Sequence, residues 1–245
     1  MTQRASPPGP APGQAPGFPA LPLPVIEEAG RQLRAPWAAS IAGLLFAVLF
    51  TAALVLVRNQ PVLESSDAQL AGQFATGQDL AGFIGGLYLA PFAGIMFLWF
   101  IAVIRDQIGE REDRFFATVF FGSGLLFVAI LFAAMAVASW PVVGVRYLGQ
   151  AAPSAREIEV TRAISYALMF GFGTRAAAVF LLAMSTIGLK SGVLPRWFGR
   201  VGYLVGVALL VVVAIWDWVI LVLPIWVALI SLYILRRERS RRRTA

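Results

Sequence analysis

Two residues could do chemistry inside an apolar setting: Arg175, within LMFGFGTRAAAVFLL, and Asp217, within AIWDWVIL. If they pair, they form an intramembrane polar site of the kind that lines solute or ion paths. If they act separately, Arg175 snorkels towards an interface and Asp217 caps the helix that starts at Trp218. With Lys190 and Arg200 marking one membrane boundary, the 1.5 Å helical rise puts Arg175 about 22 Å and Asp217 about 25 Å above it, so the heights match. On a helical wheel Arg175 shares its stripe with Gly171, Ala178 and Thr186, which are small or polar and suit a packed interface better than lipid.

The remaining inventory is mostly exclusion. The 245 residues contain no Cys and no His. Disulfides, iron–sulfur clusters, thiol nucleophiles, imidazole bases, zinc triads and haem histidines are therefore excluded. The single Lys, Lys190, lies at the end of an apolar segment, out of place for a buried Schiff base. There is no phosphate-binding G-x-x-x-x-G-K-[ST], no G-x-S-x-G and no H-E-x-x-H. The apolar segments hold neither paired carboxylates nor a nucleophile beside a base. The residues thus offer no catalytic group, no cofactor-binding set and no metal-ligand set.

The elements that would position Arg175 and Asp217 follow from composition. The chain is 59% hydrophobic and 13% charged, with mean hydropathy +0.77, against roughly 25% charged residues in a soluble domain. Too few charged side chains exist to cover a water-soluble globule, so the chain is an integral membrane protein. The net charge of +7 lies in short runs flanking apolar stretches, a membrane-anchoring pattern and not a nucleic-acid footprint.

Residues 1–35 form a Pro-rich tail expected to be disordered and cytoplasmic, with eight of the fifteen prolines before residue 25. Its polar start does not resemble a cleavable signal peptide. Residues 36–235 divide into spans of about 36–57, 80–104, 115–139, 163–189, 197–214 and 218–235. The polar segment 59–79 joins the first two, RDQIGEREDR (105–114) joins the next pair, and Trp140–Pro141 end the third. The last apolar block, residues 197–235, would be about 58 Å long as one helix, so it divides at IWDW. The fold class is all-α, a six-span transmembrane bundle. Residues 236–245 form a basic tail, RRERSRRRTA, suited to anionic lipids. Six spans with a cytoplasmic N-terminus put 15 of the 20 basic residues inside, whereas five spans would export the arginine tail.

Two GxxxG pairs, Gly82/Gly86 and Gly202/Gly206, permit close helix approach, within one chain or in a homo-oligomer. Pro91 interrupts the hydrogen-bond ladder of the second span and predicts a kink.

Residues 92–138, which include RDQIGEREDRFFATVF, and the stretch LPRWFGRVGYLVG at 194–206 resemble a family of uncharacterised multi-pass membrane proteins of high-GC, actinobacterial-type bacteria. The charge count puts both termini in the cytoplasm of a bacterial plasma membrane, while the resemblance implies a membrane location and a helical bundle and brings no catalytic residue, substrate or cofactor. Three functions remain. A non-enzymatic accessory or structural membrane protein fits best, because ionisable residues inside the spans are so few. A small-solute or ion transporter would rest on Arg175, Asp217 and Pro91. An intramembrane lipid-modifying enzyme comes last.

Overall fold

The computed structural model describes residues 36–58, 66–77, 80–108, 114–192, 195–211 and 217–244. The Pro-rich tail 1–35, the centre of the 105–114 junction and residues 212–216 lie outside them. The described helices belong to one compact unit, Arg34–Ala245. Every regular element among the described residues is helical: α1 Pro36–Arg58, α2 Asp67–Thr76, α3 Leu80–Phe83, α4 Ala90–Ile108, α5 Arg114–Leu148, α6 Ala155–Tyr166, α7 Thr174–Lys190, α8 Arg196–Val211 and α9 Val222–Thr244. Two wide-turn π segments join α3 to α4 (Ile84–Leu89) and α6 to α7 (Ala167–Gly173), and a 3₁₀ turn, Asp217–Leu221, leads into α9.

The described residues of the expected spans are helical. Among the described residues five continuous helical stretches are long and apolar enough to cross a membrane: α1, α3–α4, α5, α6–α7, and the stretch from Trp218 through α9. The sixth, α8, has 16 described residues, or about 24 Å.

Glycine seats and ring contacts establish how the helices run. Along α7 and α8, Gly199 faces Leu189, Gly202 faces Ser185 and Gly206 faces Leu182, so the two are antiparallel. On α4 and α5, Gly94 meets Phe132 and Gly124 meets Ile101, the same reversal. Gly43 of α1 meets Ser231 of α9, while at the other end of both helices the Arg58 guanidinium lies 4.9 Å from the Trp218 ring centre. The start of α1 and the end of α9 therefore share one end of the bundle. Lys190 and Phe116 meet there too, at 4.4 Å. This basic end also carries Arg105, Arg196, Arg200, Arg236 and Arg239.

The core is aromatic. Phe97 is fully buried, and its ring centre lies 4.5 Å from Phe46, 5.0 Å from Phe180 and 5.6 Å from Phe127. Outside the core, Leu204, Val211 and Val48 face outward, as lipid-facing side chains do.

The structure departs from the sequence reading in two places. α5 continues through Pro141 to Leu148, where a stop at Trp140–Pro141 was expected. Proline is tolerated inside apolar helices when neighbours satisfy the freed carbonyl. The 59–79 connection contains α2, which packs by Leu70 and Phe74, a buried pair four residues apart. Two N-terminal capping boxes mark this second end. Ser66 and Gln69 exchange backbone and side-chain hydrogen bonds around the start of α2, and Ser154 and Glu157 do so around α6.

Candidate functional site

Arg175 is the second residue after the π segment Ala167–Gly173. A π turn shifts its hydrogen bonds from i−4 to i−5 and leaves carbonyls of the preceding turn incompletely used. Arg175 and Thr174 fill that deficit. The guanidinium donates to the carbonyls of Phe170 and Gly171, and the Thr174 hydroxyl donates to Phe170. Arg175 is half-buried, whereas Ala178 and Thr186 on its stripe are buried. It sits at the edge of the packed face and serves its own helix. For Asp217 only the backbone lies among the described residues; it opens the 3₁₀ turn next to Trp218. The proposed Arg175–Asp217 pair therefore falls partly outside them.

Pro91 follows the other π segment directly, at the second residue of α4. Its ring would clash with the carbonyl four residues back in a regular α-turn. Widening the preceding turn moves that carbonyl away. The same device thus occurs in the second and fourth spans, once set by a proline and once sealed by an arginine.

The small residues pack in a recurrent way. A Cβ added to Gly86 would stand 2.0 Å from the Ser139 hydroxyl, and at Gly202 2.1 Å from that of Ser185. Gly43 against Ser231, at 2.1 Å, makes a third such pair. The three serine hydroxyls are buried without a hydrogen-bond partner among the described residues. Each is pressed against a glycine backbone, where the Cα–H groups are the available weak donors. Gly206 is filled by Leu182, and Gly82 is buried in α3. Gly86, Gly202 and Gly206 thus seat neighbours of the same chain. One further hydroxyl contact joins α7 to α8: Thr186 and Tyr203 lie 2.6 Å apart.

The end opposite the basic one holds a cavity that the sequence reading did not anticipate. α2 is clamped there at both termini. The Asp67 carboxylate accepts a hydrogen bond from the Ala155 backbone N–H at 2.9 Å, and Arg146 donates to the Phe74 carbonyl at 3.1 Å. Beneath the resulting cap is a cavity of about 110 Å³. Its lining includes the apolar Leu54, Met135, Met169 and Phe170, the basic Arg58 and Arg162, and the hydroxyl-bearing Thr161, Ser165 and Tyr166. Ser165 is already committed, donating to the Ala134 carbonyl at 2.9 Å. Among the described residues no carboxylate lines the cavity. The residues come from α1, α2, α5, α6 and the second π segment, so no contiguous motif could reveal the site.

No group of three or more acidic, His or Cys side chains is placed to hold a metal among the described residues. The chain matches no protein-family model, no curated protein and no solved structure.

Proposed function

We propose that this chain is a non-enzymatic accessory or structural protein of a bacterial plasma membrane, spanning it six times with the basic end in the cytoplasm. The carrying observation is the character of the buried polar side chains. Among the described residues they are Ser40, Ser123, Ser139, Thr174, Ser185, Thr186 and Ser231, all hydroxyls. Ser123, Thr174 and Thr186 donate to carbonyls of their own helices. Such groups pack helices and satisfy backbone, but none exchanges a proton near neutral pH. Arg175, the charge a transport reading would use, is bound to carbonyls of its own chain.

The orientation rests on charge asymmetry. Lys190 and most arginines flank the basic end, and basic loops stay cytoplasmic. Reporter fusions after residues 110, 193 and 245 should report cytoplasm, and fusions near 68 and 150 the outside. An external C-terminal reporter overturns the six-span arrangement.

The functional reading is tested by flux. Vesicles holding the full chain should pass protons, potassium and chloride no faster than empty vesicles. A flux above that background, abolished by Arg175→Leu in protein that retains its unfolding temperature, would establish a transporter instead.

A further inference from the structure

We infer that the cavity beneath the α2 cap binds an anionic phospholipid, with the phosphate at Arg162 and the start of an acyl chain on Met135, Met169 and Phe170. Three observations carry this. The first is charge. Arg162 lines the cavity, and among the described residues no carboxylate does. The described acids on α2 and α6 are engaged elsewhere: Asp67 with the Ala155 N–H, Glu157 with Ser154, and Glu159 with Arg156 at 3.3 Å. A phosphate, which accepts paired N–H groups from a planar guanidinium, is the complementary ligand.

The second is the floor. Met135, Met169 and Phe170 are at least nine-tenths buried and offer no hydrogen bond. A hydrated free anion gains nothing from that surface, whereas a hydrocarbon chain does, and methionine adapts its shape to one. The third is depth. Arg58 is the last residue of apolar α1, and Leu54 lies one turn further in. The cationic side of the cavity is thus at headgroup level and its floor at the level of the first methylenes. An acidic peptide would need polar partners for its backbone, which this floor does not supply.

The test uses full-length protein in detergent, titrated with phosphatidylglycerol, with phosphatidylcholine of the same chains, and with inorganic phosphate, and read by unfolding temperature and native mass spectrometry. Phosphatidylglycerol should bind saturably and raise the unfolding temperature, while the other two should not. Arg162→Gln should weaken that binding about tenfold, the scale of one charge-assisted hydrogen bond. Arg200→Gln, at the basic end of the bundle, should leave it unchanged. Ala138→Phe, which fills the cavity, should abolish it in protein that still unfolds cooperatively.

Equal binding of both lipids overturns the proposal, as does binding indifferent to Arg162→Gln and Ala138→Phe. Inorganic phosphate binding with the same dependence on Arg162 overturns it in favour of a free-anion site. Phosphatidylglycerol recovered in chemically altered form would overturn the non-enzymatic function while leaving the binding site in place.

Discussion

Phe97→Ala is expected to lower the stability of the folded bundle by about 2 kcal/mol. In water, losing a buried phenyl combines a transfer term and a cavity term. In lipid the separated helices already lie in hydrocarbon, so the transfer term largely disappears. The cavity term remains: roughly 100 Å³ lost, at about 24 cal/mol per Å³, gives about 2.4 kcal/mol before relaxation. Phe46, Phe100, Phe127 and Phe180 surround the ring, and aromatic side chains from α1, α4, α5 and α7 cannot all move in together. Phe92, 55% exposed on the same helix, is the control; its truncation should stay within about 0.5 kcal/mol. Unfolding in mixed micelles with increasing denaturing detergent measures both. Equal effects for Phe97 and Phe92 would mean that the ring cluster does not hold the bundle.

The second large effect concerns Gly43. A methyl there would stand 2.1 Å from the Ser231 hydroxyl, 2.9 Å from Phe100 and 3.1 Å from Val227. Serine can rotate away, but the other two belong to the packed core, so α1 and α9 must separate. Overpacking of this kind costs about 1–3 kcal/mol, against a gain of about 1 kcal/mol from replacing a helical glycine. Gly43→Ala should therefore destabilise, and Ser231→Ala in the same chain should recover only part of the loss. At Gly122 an added Cβ meets nothing within 4 Å, so Gly122→Ala should be neutral or slightly stabilising. If Gly43→Ala behaves like Gly122→Ala, the α1–α9 interface is looser than its geometry indicates.

The helical segments were legible because each apolar run is bounded by charge, as Arg58, Arg105 and Lys190 bound theirs. Arg175 was legible as an anomaly, since a guanidinium in an apolar run is costly. Its described use was not: the π segment that supplies its acceptors depends on tertiary packing and leaves no periodic mark. α5 extends past Pro141 for a related reason, because a proline signals a missing donor but not whether neighbours compensate. The boxes Ser66–Gln69 and Ser154–Glu157 follow the S-x-x-[EQ] pattern and could have located the starts of α2 and α6. The cavity could not have been found that way, for it exists only once α1, α2, α5 and α6 are assembled. Gly43, Gly86 and Gly202 each required a serine from another helix to explain them, and sequence spacing pointed to the last two alone.

The pairing of α1 with α9 also sets a timetable. A chain made from its N-terminus inserts α1 before the other described helices, while the surface that closes over Gly43, built by Val227 and Ser231, follows only after α8. Through most of synthesis that groove faces lipid or an insertion chaperone, and the bundle stays open along one seam. Closing the seam joins segments far apart in sequence, the slow class of contact. A product that stops short of α9 would carry an unsatisfied groove on α1, a ready signal for membrane proteases to distinguish finished molecules from unfinished ones.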